Sequence, residues 1–218
     1  MSNYPTILSQ LGKTKLIAVS KTKPIQAIEV LYNQGQKAFG ENKVQEMVDK
    51  YEQLPKDIEW HLIGHLQTNK VKYIAPFVYM IHAVDSLKLL FEIEKQAAKC
   101  ERKIDVLLQM HIAEEETKFG LDTKELIEIL EYYTSHSNSL SHIRIVGLMG
   151  MATNTDNENQ IRKEFQELKN KFLFAKQSYL VGDKNFTELS MGMSSDYQIA
   201  IEEGSTMVRI GSLLFGER

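Results

Sequence analysis

The chain has 218 residues, of which 43% are hydrophobic and 25% charged, and its formal net charge is −3. This composition is typical of a globular protein with a sizeable core, and the weak acidic balance excludes a general attraction to nucleic acid. A single cysteine excludes an internal disulfide framework. The N-terminus has no signal-peptide pattern, and no apolar run reaches the roughly 20 residues that span a bilayer. We therefore expect a cytoplasmic protein without membrane contact.

Apolar, β-rich runs alternate with amphipathic helical patterns along the chain. We predict eight strands, at residues 16–20, 37–40, 59–63, 78–84, 104–112, 143–149, 188–191 and 207–210. We predict seven helices between them, near residues 24–34, 42–54, 69–75, 86–99, 123–133, 157–175 and 195–202. Strict alternation favours parallel strands joined by right-handed crossovers. The chain is therefore predicted to be α/β, one (β/α)8 TIM barrel domain over residues 1–218, with an open doubly wound sheet as the alternative.

Local signals support several of these helices. Ser86, Thr123 and Asn157 stand where N-cap residues are expected. Four residues of the last long helix have the spacing of a single buried face: Ile161, Phe165, Leu168 and Phe172.

The stretch at residues 16–24, LIAVSKTKP, begins as a strand of the kind that is buried on both faces and then breaks at a proline. Lys21 therefore lies at the C-terminal end of a buried strand. Desolvation at such a place disfavours the ammonium form, which makes the amine a candidate nucleophile toward an aldehyde. The stretch alone leaves a surface lysine on a loop as the alternative.

Small and polar residues follow most of the other predicted strands as well, at residues 39–42, 64–70, 82–86, 147–151, 190–196 and 209–212. In a (β/α)8 barrel the functional site is built from loops at these C-terminal ends. Ser194 and its small neighbours precede a predicted helix, so their N–H groups and the hydroxyl can hold a phosphate. Gly211 and Ser212 can complete that site. The alternative is an N-cap serine without a ligand.

Arg209 lies in a strand that the pattern predicts to be buried, and a buried arginine needs a partner. We expect either a carboxylate of the barrel or a ring nitrogen or anion in a cavity. His61 and His65 are four residues apart, but no cysteine completes a zinc set, so we interpret them as hydrogen-bonded polar residues and expect no metal site. Four methionines near strand ends are interpreted as core or rim residues: Met149, Met151, Met191 and Met193.

Six motifs occur in order from residue 16 to the C-terminus: LIAVSKTKP, FGENKVQE, WHLIGHLQTNK, GLMGMA, SMGMSSDYQIAI and VRIGSLLFGER. Together they resemble the pyridoxal phosphate homeostasis protein family. The resemblance implies a barrel similar to the N-terminal domain of alanine racemase, which binds pyridoxal 5′-phosphate (PLP) and has no demonstrated catalytic reaction. The chain departs from the family pattern at Lys43, where tyrosine is common, and at Ala83, where serine is frequent.

The resemblance also implies a set of cofactor-binding residues. Lys21 would form the Schiff base with PLP, and Lys23 would be a second amine nearby. Asn42 would border the cofactor ring, and Arg209 would face its pyridine nitrogen. Three residues would hold the phosphate: Ser194, Gly211 and Ser212.

An arginine at the pyridine nitrogen keeps that nitrogen unprotonated and weakens carbanion stabilisation. We see no second domain in the chain and no evident base for the opposite cofactor face, although Tyr197 stays open as one. We therefore predict a PLP carrier and regulator that is not an enzyme. A PLP-dependent amino-acid racemase is the alternative, and a phosphate-sugar barrel enzyme that uses Lys21 without a cofactor is a third. We expect a monomer, with apo PLP enzymes and small amino acids as further partners.

Overall fold

The computed structural model describes residues 3–115 and 119–216. Eight parallel strands form a closed barrel in chain order: β1 Lys15–Val19, β2 Ala38–Glu41, β3 Glu59–Leu62, β4 Met80–Val84, β5 Ile104–Gln109, β6 Ile143–Met149, β7 Glu188–Ser190 and β8 Met207–Ile210. β8 pairs with β1 in the register Lys15 to Met207 through Ala18 to Ile210. The prediction of a (β/α)8 barrel is confirmed, and the open-sheet alternative is wrong because the last strand closes on the first.

Helices surround the barrel: α1 Tyr4–Leu11, α2 Ile25–Tyr32, α3 Val44–Gln53, α4 Val71–Ile74, α5 Leu87–Lys99, α6 Thr123–Ser135, α7 Glu158–Ser178, α8 Tyr197–Glu202 and α9 Ser212–Phe215. All seven predicted helices are present, and α8 begins two residues later than predicted. The sequence reading missed α1 and α9. α9 has only four residues, too few to show a helical period. The part of the chain that the structure describes contains no helix long and apolar enough to cross a membrane.

The helix caps follow the sequence signals with one exception. The side chains of Ser86 and Asn157 each accept a hydrogen bond from the backbone N–H three residues later, as predicted. Thr123 is not a cap, because α6 is capped by Asp122. Its carboxylate accepts the Glu125 N–H at 2.8 Å, and the Glu125 carboxylate accepts the Asp122 N–H at 2.9 Å. This reciprocal capping box satisfies two N–H groups at once, which a lone threonine does not.

Two apolar layers hold the barrel and its helices together. The outer layer lies between strands and helices, and the predicted buried face of α7 belongs to it, with Phe165 and Leu168 fully buried. The inner layer fills the barrel interior with smaller side chains: Ile17, Ala38, Met80, Leu107, Val146 and Met207. Because both faces of each strand are covered, the strands read as nearly continuous apolar runs.

Barrel closure brings the loops after the first and last strands side by side. The connection from β7 to α8 turns sharply at Gly192, whose φ is 97°. A Cβ at this position would lie 2.6 Å from the Cβ of Ala200. Glycine therefore lets the β7 loop fold back over the strand end, which places residues 193–196 beside the loops after β1 and β8.

Candidate functional site

A cavity of about 480 Å³ opens at the C-terminal ends of the strands. Its size falls within the range usual for small-molecule sites. Its wall includes all six residues that the sequence predicts for a cofactor site: Lys21, Asn42, Ser194, Arg209, Gly211 and Ser212. Apolar side chains line much of the remaining wall: Val19, Ile63, Met151, Met193 and Leu213. The fold thus gathers the six residues at one place, and their roles stay predictions at this point.

Lys21 is the second residue of a four-residue turn that follows β1. The turn is closed by a hydrogen bond from the Lys23 N–H to the Ser20 carbonyl oxygen at 3.0 Å. Its third residue, Thr22, has a φ of 63°, a left-handed conformation that is unfavourable for a β-branched residue. The half-buried Lys21 side chain extends from this strained turn into the cavity wall.

The Lys23 side chain links this turn to the end of α9. Its Nζ donates hydrogen bonds to the carbonyl oxygens of Phe215 at 3.2 Å and Gly216 at 3.0 Å. The resemblance suggested a second amine near the cofactor, and Lys23 lines the cavity with its amine bound to these two backbone carbonyls. Lys23 therefore connects the first and last loops of the barrel.

The loops after β7 and β8 meet on one wall of the cavity. The Ser194 hydroxyl oxygen accepts the Gly211 N–H at 3.2 Å. Within the described residues, the backbone N–H groups of Ser194, Ser195 and Ser212 donate no hydrogen bond to the protein. Unpaired N–H groups on a concave wall suit an anion. The alternative of Ser194 as an N-cap is wrong, because the N-cap residue of α8 is Asp196.

Asn42 follows β2 and lies under the loop after β3. A Cβ on Gly64 would lie 2.5 Å from the Asn42 carbonyl oxygen. Only glycine permits this close approach of two backbone segments. The β3 loop therefore packs directly against Asn42 and fixes its place in the cavity wall.

Arg209 is buried inside β8, with 4% of its surface exposed. Its Nη1 donates to the Ser190 hydroxyl oxygen at 2.7 Å, and its Nη2 donates to the Gly150 carbonyl oxygen at 2.9 Å. The expectation of a carboxylate partner is wrong, since no ion pair to Arg209 occurs among the described residues. Burial lowers the pKa of Arg209 to about 10, although the charge of Asp196 opposes this shift. The guanidinium keeps its positive charge at neutral pH and brings it to the cavity.

A hydrogen-bonded column of polar side chains continues from Arg209 into the barrel. His82 Nδ1 lies 3.0 Å from the Ser190 hydroxyl, and His82 Nε2 lies 2.8 Å from His61 Nδ1. Ser190 accepts from the guanidinium, so the fewest groups stay unsatisfied when its own proton goes to His82 Nδ1. His82 Nε2–H then donates to His61 Nδ1, and the proton of His61 resides on Nε2. That nitrogen is buried without a partner in the described structure.

The other candidate groups of the sequence lie away from the cavity. His82, expected at the rim, is inside the barrel. His65 is at the rim, where its Nδ1 lies 3.1 Å from an Asp85 carboxylate oxygen. Tyr197 donates its hydroxyl proton to Gln10 of α1, so it does not line the cavity as a base would. No group of three or more His, Cys, Asp or Glu within residues 3–115 and 119–216 could hold a metal ion.

The sequence reasoning missed a buried ionic cluster directly behind the β1 turn. It contains Glu41, Glu46 and Lys50, and Lys50 bridges the two carboxylates. Burial raises the pKa of Glu41, while the hydrogen bonds from Lys50 and Ser20 oppose the shift. The one sequence signal was the spacing of four between Glu46 and Lys50, which is more often found on a solvated helix face.

Comparison with known proteins agrees with this fold. The family model described as "Alanine racemase, N-terminal domain" matches residues 1–218. The chain is 44% identical over 205 residues to the pyridoxal phosphate homeostasis protein of Aquifex aeolicus, covering 94% of this chain and 87% of that protein. It is 38% identical to the human protein of the same name, covering 94% of this chain and 76% of that protein.

Solved structures extend the comparison. PipY of Synechococcus elongatus, in a structure described as having PLP bound, superimposes with a TM-score of 0.89 at 34% identity, over 98% of both chains. The alanine racemase of Streptomyces coelicolor superimposes with a TM-score of 0.82 at 14% identity, over 99% of this chain and 57% of that one. The second likeness concerns the fold alone.

The fold and the placement of the cavity define a barrel of the alanine racemase N-terminal class. Within that class, the extent and identity of the matches show that this chain belongs to the pyridoxal phosphate homeostasis protein family.

The polar column predicts a pH dependence of stability. Burial lowers the pKa of His61 and His82 well below the usual 6.5, so below that pH the folded state binds fewer protons than the unfolded state. The free energy of unfolding should therefore fall as the pH drops from 6.5, by up to roughly 1.4 kcal/mol per pH unit for each histidine. Urea unfolding between pH 7.5 and 5.0 should show a shallower slope for His82→Gln. Equal slopes for the wild type and His82→Gln would contradict this account.

Proposed function

We propose that this protein binds PLP in the rim cavity and takes part in intracellular vitamin B6 homeostasis without catalytic turnover. One observation carries the proposal: a half-buried lysine, a buried arginine and a wall of unpaired N–H groups line the same cavity. An amine, a cation and an anion site are what the aldehyde, ring nitrogen and phosphate of PLP require. The names of the relatives and the PLP described in PipY support the same assignment.

PLP, when bound, supplies an aldehyde whose carbon forms a C=N bond with a primary amine as water leaves. Lys21 is the residue of this chain that provides the amine. Lys21 and Val19 both line the cavity, and the turn that carries Lys21 is closed by the hydrogen bond from the Lys23 N–H to the Ser20 carbonyl oxygen. The turn therefore offers the amine to the cavity from a fixed backbone.

The wall made by the loops after β7 and β8 holds the phosphate in this proposal. Ser194 supplies a hydroxyl, and Ser194, Ser195 and Ser212 supply N–H groups without protein partners. Gly211 keeps this wall close to β1, since a Cβ there would already lie 3.3 Å from the Val19 carbonyl oxygen. Hydrogen bonds to a charged phosphate are among the strong hydrogen bonds in proteins. This wall therefore provides most of the noncovalent binding free energy of PLP in the proposal.

Arg209 would face the pyridine nitrogen of PLP, and Asn42 would border its ring, since both residues line the cavity. Two of the five guanidinium N–H groups bind Ser190 and Gly150, which leaves donors for a ring acceptor. A guanidinium is too weak an acid to protonate the nitrogen to which it donates a hydrogen bond, and its positive charge disfavours a pyridinium beside it. Arg209 would therefore keep the ring nitrogen unprotonated, which would make the bound cofactor a weak electron sink.

This arrangement favours a carrier over a racemase. Among the described residues that line the cavity, the titratable ones are Lys21, Lys23 and Arg209. Lys23 binds the end of α9 and Arg209 stays charged, so neither is a base for the second face of a bound amino acid. We propose further that residues 1–218 act as one cytoplasmic domain, a monomer that exchanges PLP with apo enzymes and meets small amino acids at the open mouth.

Reduction with borohydride tests the covalent assignment. In wild-type protein saturated with PLP, the visible absorbance band of the adduct should be present, and reduction should leave the pyridoxyl group on Lys21 in a peptide map. Lys21→Ala should lack both the band and the label, because the amine of Lys23, the other lysine that lines the cavity, donates to the carbonyl oxygens of Phe215 and Gly216. Lys43→Ala, at an exposed site outside the cavity, should be labelled like the wild type. A label elsewhere, with position 21 unmodified, would disprove the proposal, and a Lys21 that reacts with aldehydes but not with PLP would favour a cofactor-free enzyme.

The phosphate assignment is tested with Ser194→Ala. Losing one charge-assisted hydrogen bond should weaken PLP binding by about 1.5–3 kcal/mol, measured by equilibrium dialysis against limiting PLP. Pyridoxal, which lacks the phosphate, serves as the matched ligand and should bind both proteins equally. If Ser194→Ala weakened pyridoxal to the same extent, or left PLP retention unchanged, Ser194 would not belong to the phosphate site.

The absence of turnover is tested by proton exchange. Incubation of holo-protein with alanine in D₂O should show no Cα deuterium uptake beyond that of free PLP, because the described cavity wall presents no second base. NMR gives the exchange rate, and Lys21→Ala with added PLP provides the background. Exchange or inversion well above that background would establish the racemase alternative.

A further inference from the structure

We propose that Glu41, Glu46 and Lys50 form a clamp that positions the reactive lysine by holding the backbone on both sides of it. We call these three residues the turn clamp. The inference rests on the proposed function, in which Lys21 is the amine that bonds to PLP. None of the three lines the cavity, so they act on the reaction only through the β1 turn.

The contacts of the turn clamp reach both neighbours of Lys21. Lys50 Nζ donates to the Ser20 carbonyl oxygen at 2.8 Å, and Ser20 donates its hydroxyl proton to Glu41 Oε1 at 2.6 Å. On the other side, Glu46 Oε1 accepts the Thr22 N–H. The residue before Lys21 and the residue after it are therefore both bound to the same cluster.

The three charged groups also bind one another. Lys50 Nζ lies 2.8 Å from Glu41 Oε1 and 2.7 Å from Glu46 Oε1. Glu41 is fully buried, and Lys50 is 6% exposed. A buried lysine with three acceptors is held in one geometry, so the position of α3 constrains the turn after β1.

The turn needs such a constraint because its backbone is unfavourable. Thr22 has a φ of 63° at the third position of the turn, where glycine or asparagine is usual. A threonine there tends to relax to a negative φ. That change would flip the peptide bond between Lys21 and Thr22 and alter the backbone conformation of Lys21. The Glu46 carboxylate, bound to the Thr22 N–H, opposes the relaxation.

Stability alone does not account for this cluster. Glu41 Oε2 is buried without a hydrogen-bond partner in the described structure, and buried ion pairs are often no more stabilising than apolar residues of similar size. Their best-attested use is to select one geometry among several. In this chain the geometry selected is that of the turn that carries Lys21.

The test separates covalent capture from noncovalent binding. Pyridoxamine phosphate has an amine in place of the aldehyde, so its affinity reports the phosphate and ring contacts only. For PLP, the rise of the visible band in stopped-flow mixing reports the rate of bond formation. Glu46→Ala should slow this rate by about tenfold or more, as displacement of a reacting group does, and should leave pyridoxamine phosphate binding within about twofold. Glu46→Gln keeps an oxygen for the Thr22 N–H and should recover most of the rate.

A matched pair elsewhere in the chain provides the control. Glu167 and Lys171 have the same spacing of four and the same ion pair on α7. Glu167→Ala should therefore leave both PLP capture and pyridoxamine phosphate binding at wild-type values. Lys50→Met is the stronger variant, but it leaves Glu41 buried without its cation. Glu46, whose side chain is 23% exposed, keeps the test decisive if Lys50→Met does not fold.

The possible results distinguish a failure of the proposed function from a failure of the turn clamp. If wild-type protein forms no bond at Lys21, the proposed function fails. If wild-type protein does so and Glu46→Ala captures PLP at the same rate, the turn clamp has no positioning role. If Glu46→Ala weakens PLP and pyridoxamine phosphate by the same factor, the cluster only supports the fold, and the inference is likewise overturned.

Discussion

The parallel pairing of β8 with β1 is the interaction on which the site depends. It closes the sheet over four residue pairs, from Lys15 and Met207 to Ala18 and Ile210. In an open sheet these two strands would lie apart, and so would the loops that follow them. In the closed barrel, the loops after the first and last strands share one cavity wall. A lysine near residue 20 and a glycine–serine pair near residue 211 therefore face the same space.

The β1 turn is held from two independent directions once the barrel has closed. From the side of α3, the turn clamp binds the backbone before and after Lys21. From the side of α9, Lys23 binds two carbonyl oxygens beyond β8. The second link exists only because β8 lies next to β1. The backbone of this turn consequently has little freedom, which would favour one direction of approach for the amine of Lys21 in the proposed function.

The barrel interior explains how an arginine can keep its charge without a carboxylate. Arg209 donates to the Ser190 hydroxyl and to the Gly150 carbonyl oxygen. Ser190 is hydrogen-bonded to His82, and His82 is hydrogen-bonded to His61. The histidines remain neutral because burial lowers the pKa of each. A positive guanidinium with neutral partners presents its charge to the cavity, whereas a carboxylate would have cancelled it. For the proposed ligand, that charge would keep the ring nitrogen from taking up a proton.

The sequence determined the strands, most of the helices and the place of the site, because each has a local cause. Runs such as LIAV must be buried on both faces, and polar residues placed after such runs fall at one rim in any closed parallel barrel. Lys21 and Arg209 could thus be singled out without coordinates. A helix N-cap could be predicted where a single side chain accepts the capping hydrogen bond, as Ser86 does. It could not be predicted at Asp122, where the cap is a reciprocal pair of hydrogen bonds with Glu125.

Only the tertiary structure decided which polar groups are buried and what they bind. The spacing of Glu46 and Lys50 is the same on a solvated helix as in the turn clamp, and burial alone distinguishes the two. Likewise, His82 follows a rim-like pattern but lies inside the barrel against Ser190, 108 residues away in the chain. Hydrogen-bond partners at such separation depend on strand register and barrel closure, which no local pattern encodes. The sequence determined which residues reach the rim, and the closed barrel decided which of them hold one another in place.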